Sequence, residues 1–229
     1  MLLLAVDHEG DGRGMTDEQA RDEAMTMFNA GHDSTAAALA WTWYLIARHP
    51  EVESRLVAEI DRVLGDRPAT YAEVAQLAFT EMVVKESLRL YPPTWAMFPR
   101  EAIEPMELGG YTIPRGGWIY TFQWVTHRDG RFFADPTRFD PDRFAPGRAE
   151  QIPQYAYFPF GGGPRGCIGN VFATMETILI VATVLQKFRI RLAPGQGEAE
   201  PEPLISIRPK GGLRVTLDRR TEPALAGRP

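Results

Sequence analysis

Apolar positions along the chain recur with a helical period in four stretches and with a strand-like period in short pieces between them. Thr16 is followed three residues later by Gln19, with Asp17 and Glu18 in between, the arrangement that satisfies the free N–H groups at a helix start. From there apolar or small residues recur at Met25, Phe28, Thr35, Leu39, Trp43 and Ile46. This predicts one helix through Arg48, roughly 45–50 Å long. Its middle, Ala30-Gly31-His32-Asp33-Ser34-Thr35, sets a glycine beside side chains that compete for backbone hydrogen bonds, so a local distortion is expected. The apolar opening Met1-Leu2-Leu3-Leu4-Ala5-Val6 reads as the end of a buried helix, and an acidic, glycine-rich turn over 7–14 follows.

Pro50 opens a second helix where its missing N–H costs nothing, with Val52, Leu56, Ile60 and Val63 as the buried stripe and Gly65 as the stop. A third begins at Thr70, with Glu73 completing another capping box, and after a break continues from Leu77 to Leu90 until Tyr91-Pro92-Pro93 forbids helix. Short strands are predicted over 95–99, 106–108, 111–113 and 118–122, with Gly109-Gly110 as a hairpin turn. Residues 126–159 hold many Pro, Asp, Arg and Phe without a period, and so many aromatics imply ordered coil rather than solvated chain. A last helix is predicted over 168–187, then a loop over 193–203, strands over 204–207 and 213–217, and a loose tail over 219–229.

Composition narrows the function. With 44% hydrophobic residues, 24% charged and 229 in all, the chain is globular in class. A net charge of -5, from 25 basic and 30 acidic residues, excludes the basic surface that nucleic acid needs. The opening apolar run is too short to span a bilayer and lacks a leader's basic start and cleavage site, so no membrane segment and a cytoplasmic location are expected. His32, His49 and His127 show no metal-ligand spacing and are read as structural. The single cysteine, Cys167, is either a core hydrophobe or a chemical group.

Its neighbours decide between these. Phe160-Gly161-Gly162-Gly163-Pro164-Arg165-Gly166-Cys167-Ile168-Gly169 resembles, at every fixed position, the F-x-x-G-x-R-x-C-x-G segment of the cytochrome P-450 family. Glu86-x-x-Arg89 is an ordinary helical ion pair by spacing alone, but Pro141-Asp142-Arg143-Phe144 matches the family's P-E/D-R-F segment. The run Ala30 to Thr35 resembles its A/G-G-x-D/E-T-T motif, with Ser34 where the family most often has threonine; taken alone it could be a polar helix stripe.

The resemblance implies a mainly α fold with small β-sheets, and specifically the C-terminal, haem-ligating half of that fold, with the N-terminal half absent from 1–229. It implies haem b with Cys167 as the iron's ligand, Phe160 covering the sulfur, Arg165 and Arg100 on the propionates, and Gly163 and Gly169 as cofactor-loop positions. Glu86, Arg89 and Arg143 would form a buried structural triad. Asp33, Ser34 and Thr35 would be the catalytic set, with Asp33 and Ser34 relaying protons. Thr94, Trp95, Ala96 and Met97 would line the pocket of a small, organic, apolar substrate. Dioxygen is the oxidant, and NAD(P)H-derived electrons would arrive through a separate ferredoxin or flavoprotein, since no strand here leads into a nucleotide-binding glycine loop. The reaction so implied is insertion of one oxygen atom; the alternative is a truncated, inactive piece that folds only with its missing half.

Overall fold

The computed structural model describes Val6 and residues 12–220. It is helix-rich with small sheets. Helix α1, Asp17–Arg48, is capped as its sequence requires: Thr16 Oγ1 accepts the Gln19 N–H at 3.2 Å and Gln19 Oε1 accepts the Thr16 N–H at 2.9 Å. Its 32 residues run without a break, which overturns the expected mid-helix distortion. The Ser34 hydroxyl donates to the Ala30 carbonyl at 2.7 Å, a bond compatible with the helix around it.

Apart from Ala20, α1 is buried only from Thr35 onward, along Thr35, Ala38, Trp41, Thr42 and Leu45, whereas Met25 and Phe28 of the predicted stripe are exposed. Trp41, which the periodicity did not single out, is the anchor. Its ring stacks on Tyr91 at 3.8 Å and its N–H donates to the Ile207 carbonyl at 3.0 Å.

Helix α2, Pro50–Val63, packs Val52, Leu56, Ile60 and Val63 inward. Two of its acids are buried and act as connectors. Glu59 caps α3 (Ala78–Leu90) from outside that helix, accepting the N–H groups of Phe79 and Thr80 at 2.7 and 2.8 Å. Glu53 accepts the Ile190 N–H at 3.1 Å and pairs with Arg191 at 2.8 Å. The Thr70 capping box starts a 3₁₀ helix, Tyr71–Gln76, and the break before α3 falls at Leu77. Helix α5, Asn170–Lys187, completes the core with Ile178, Val181, Ala182 and Leu185.

Four antiparallel pairs decorate this core. Strands β1 (Arg100–Glu101) and β4 (Trp118–Ile119) pair, as do β2 (Met106–Leu108) and β3 (Tyr111–Ile113) around Gly109 and Gly110, both at positive φ. Strands β5 (Phe188–Leu192) and β8 (Val215–Arg219) pair over five residues, and β6 (Pro201–Pro203) pairs with β7 (Ile207–Pro209). Helix α4, Gln123–Thr126, stands between β4 and the coil.

Several boundaries differ from the sequence reading. Residues 95–99 form no strand, because Trp95 and Met97 exchange single bonds with Trp124 and Thr121 rather than a ladder. Strand β5 was hidden by the apolar run that continues from α5, and β6 lies inside the predicted loop. The strands predicted over 204–207 and 213–217 sit later, at β7 and β8. Helix α5 starts at Asn170, since 168 and 169 belong to the preceding turn. Val6 is exposed and bridges Gly14 in antiparallel fashion instead of ending a helix; the rest of the opening run lies outside the described residues. Arg219 is in β8 and Arg220 is pinned to Asp61 at 2.6 Å, while 221–229 lie outside the described residues. Among the described residues no helix is long and apolar enough to cross a membrane.

Candidate functional site

The coil, which begins one residue later than predicted because Thr126 ends α4, has only short 3₁₀ and hydrogen-bonded turns over 127–159, so many of its backbone polar groups must find partners elsewhere. Glu86 and Arg89 on α3 supply many of them. Both are fully buried. Arg89 Nε donates to Glu86 Oε2 at 2.7 Å and its Nη2 to Oε1 at 2.8 Å. Arg143, in the 3₁₀ turn Pro141–Phe144, adds a bond to Oε1 at 3.3 Å, and the Asp140 N–H donates to the same oxygen at 2.9 Å. The remaining guanidinium N–H groups turn to main-chain carbonyls. Arg89 reaches His127, Pro136 and Arg138 at 2.6, 2.7 and 3.1 Å, and Arg143 reaches Asp135 at 2.7 Å. Burial pushes the Glu86 carboxyl above its ordinary pKa, against the pull of both guanidiniums and the Asp140 N–H. Arg55 of α2 braces the same turn, with two bonds to Asp142 at 2.8 and 2.7 Å and its guanidinium 3.9 Å over the Phe79 ring.

The coil leads into the cysteine loop. The Gly161 N–H donates to Phe158 at 2.9 Å, and the Cys167 N–H donates to Phe160 at 2.9 Å, closing the loop. Gly161 and Gly163 adopt φ of 73° and 64°, which only glycine takes without strain. Close approach also matters here. A Cβ on Gly161 would lie 2.9 Å from the Met97 methyl, and one on Gly162 would lie 2.7 Å from the Tyr155 ring. Cys167 is a free, exposed thiol just before α5, and its sulfur lies 3.8 Å from where a Cβ on Gly169, the N-cap, would stand. Phe160 is half-buried and packs against the core. Arg165 is exposed and carries no ion pair among the described residues, and among them the guanidinium of exposed Arg100 bonds only to the Phe98 carbonyl, at 3.5 Å.

The remaining candidates are spread out. Asp33 is exposed, Ser34 half-buried, and Thr35 buried with its hydroxyl unpartnered among the described residues. Among the described residues no hydrogen bond joins Asp33, Ser34 or Thr35 to the cysteine loop. Thr94, Trp95, Ala96 and Met97 are half-buried in irregular chain and face two ways. The Trp95 N–H donates to Leu204 at 2.8 Å, whereas Met97 turns to Gly161 and accepts the Gln123 side-chain N–H on sulfur at 2.9 Å.

Sequence reasoning read His127 as structural without finding what it holds, and passed over Gln123; both are fully buried. The one available signal was their four-residue spacing, which puts them on one helical face. His127 Nε2 accepts the Phe158 N–H at 2.9 Å and its ring stacks on Tyr157 at 5.4 Å. Burial, with Arg89 and Arg128 nearby, drives its pKa down to about 3.

A family description, Cytochrome P-450, matches residues 1–215. Cyclooctatin synthase of Streptomyces melanosporofaciens is 41% identical over 218 residues, covering 95% of this chain and 47% of that protein. Cyclooctat-9-en-7-ol 5-monooxygenase of the same organism is 42% identical over 193 residues, covering 84% and 42%. A solved cytochrome P-450DA haem domain is 34% identical and superposes with a TM-score of 0.87, over 95% of this chain and 49% of that one. The chain therefore spans about half the length of these relatives.

Two outcomes follow from the charge network. Glu86→Gln leaves two buried guanidiniums short of a counter-charge, and a loss of about 3–5 kcal/mol is expected in urea unfolding; a loss below about 1 kcal/mol contradicts the network. His127 binds no proton when folded until pH falls to about 3 but does so near 6.5 when unfolded. Stability from this residue is thus full above pH 6.5 and lost as pH falls towards 3, by up to about 1.4 kcal/mol per pH unit. The non-titrating His127→Gln protein is expected to show a flatter stability curve over that window than the wild type, and superimposable curves contradict the assignment.

Proposed function

The chain belongs to the cytochrome P-450 family, and from that premise we propose that it is the C-terminal, haem-ligating half of a cytoplasmic haem-thiolate monooxygenase. The observation that carries this reading is the exposed thiol of Cys167, held in a closed glycine loop ahead of α5. Its surroundings fit haem b. Ile168 and Phe172 beside it are 90% and 63% exposed, apolar surface that a flat macrocycle would cover. Arg100 and Arg165 offer guanidiniums without carboxylate partners among the described residues, the groups that propionates pair with. When bound, haem with a thiolate ligand supplies the activation of dioxygen from which one oxygen atom enters the substrate. A monooxygenase among the relatives supports that reaction type.

This chain's residues divide the remaining work. Cys167 contributes the sulfur, and Phe160 packs the loop against the core. Glu86, Arg89 and Arg143 hold the coil from which the loop springs. On α1, the Asp33 carboxylate and Ser34 hydroxyl hold and pass protons, which requires the Ser34 bond to Ala30 to open. The Thr35 hydroxyl is already free to take a partner. Trp95 is committed to Leu204 and Met97 to the cysteine loop, so Thr94 and Ala96 are left to face a small apolar substrate. Electrons come from NAD(P)H through a separate ferredoxin or flavoprotein.

A second reading, an inactive piece that needs the rest of the fold, is favoured by the exposed Met25, Met27 and Phe28 of α1. One experiment addresses both readings. Asp33→Asn and Ser34→Ala are assayed for product formed per NAD(P)H consumed, with 1–229 alone and with the remainder of a relative's fold supplied. Haem binding unchanged, with product falling at least about tenfold in the complemented enzyme, is the expected result. Unchanged coupling in both variants contradicts the relay, and full turnover by 1–229 alone contradicts the second reading.

A further inference from the structure

We propose that the short helix α4 together with its C-cap residue His127 is the positioning element of the Cys167 loop, with His127 and Gln123 each holding a different point of the loop from one buried face. The loop's identity as a thiolate site rests on the function proposed above; the tether itself does not. The two residues are four apart, and the His127 N–H donates to the Gln123 carbonyl at 2.8 Å, so their side chains leave the same side of one closed turn.

His127 grips the loop's entrance. Its Nε2 accepts the Phe158 N–H at 2.9 Å, which places the ring proton on Nδ1. The Phe158 carbonyl in turn accepts from Gly161, so the residue that His127 holds is the one that opens the loop's first turn. Gln123 grips the loop one step further on, through a third residue. Its side-chain N–H donates to Met97 sulfur at 2.9 Å, and the Met97 methyl lies 2.9 Å from where a Cβ on Gly161 would stand. The methyl thus occupies the space a side chain on Gly161 would need, so it packs over the loop backbone and a shift of Met97 bears on it.

The helix is itself held from the other side. The His127 carbonyl accepts from Arg89 at 2.6 Å, so α4 couples the Glu86 network to the cysteine loop. A histidine suits the post because its flat ring stacks on Tyr157 while presenting an acceptor. The groups around it are the Arg89 and Arg128 guanidiniums, the Tyr157 hydroxyl bound to Lys85, and the Phe158 ring. Burial keeps it neutral well below neutral pH, so the acceptor stays available. Neither residue reaches the sulfur, and both are therefore positioning residues.

The test follows amide hydrogen exchange in the 229-residue chain for His127→Leu, His127→Gln and Gln123→Leu, with Ile178, Val181 and Leu185 of α5 as internal reference. His127→Leu is expected to speed exchange at Phe158, Gly161 and Cys167 by about tenfold without moving α5. His127→Gln returns an acceptor and is expected to restore protection, while Gln123→Leu is expected to loosen Gly161 and spare Phe158. Loop exchange equal to wild type, equal acceleration in α5, or no rescue by glutamine would overturn the proposal. Should His127→Leu fail to fold, Gln123→Leu decides, since unchanged exchange at Gly161 overturns the shared-face tether. In haem-loaded protein the variants that loosen the loop are expected to lose the red-shifted reduced CO band in the same order, and a loosened loop with an unmoved band refutes positioning. A wild type that lacks the band yet shows the expected exchange pattern refutes the thiolate reading and supports the tether.

Discussion

One buried carboxylate organises this structure. Glu86 lies at the centre of two guanidiniums and a main-chain N–H, and the same guanidiniums reach four carbonyls between His127 and Arg138. Burying three charges is tolerable only because every one is paired. The return is a long segment without helix or sheet that is nevertheless fixed, its polar backbone satisfied by side chains. Remove the carboxylate and both the charges and the coil lose their partners together.

From that seat the order of the site propagates outward in short steps. Arg89 holds His127, His127 holds Phe158, Phe158 closes the turn at Gly161, and Phe160 closes the loop on Cys167. Each step is a single hydrogen bond, individually worth about 1 kcal/mol. The chain starts from fully buried Arg89 and His127 and runs out through half-buried Phe158, Phe160 and Gly161 to the exposed Cys167. Glycine at Gly161 and Gly162 is required by the close packing of Met97 and Tyr155 as much as by turn geometry.

What was legible in the sequence was local. The capping boxes at Thr16 and Thr70, the α2 stripe and the Gly109-Gly110 turn are set by neighbours within one turn, and the structure has them where the pattern put them. The cysteine loop and the three members of the charge network were singled out by their resemblance to family motifs, since Glu86-x-x-Arg89 is by spacing alone an ordinary helical ion pair. Less local features were not readable. Periodicity could not tell that α1 leaves Met25 and Phe28 exposed and buries its stripe only from Thr35 onward, because those two are as apolar as the residues that are covered. Strand β5 continues an apolar helix without punctuation and is defined by its partner 23 or more residues away across the loop, from Val215 onward. The packing of Met97 on Gly161 joins residues 64 apart and has no local signature, and a buried histidine looks the same in sequence whether it fills space or holds a loop.

The central claim is that this network presents Cys167 to a haem iron as its thiolate ligand. The most direct measurement is the absorption spectrum of the reduced, CO-bound protein after haem is added, for wild type and Cys167→Ala side by side. A red-shifted Soret band in the wild type that is abolished in Cys167→Ala is the predicted result, because no second cysteine is available to replace the first. The same red-shifted band in Cys167→Ala would contradict the account.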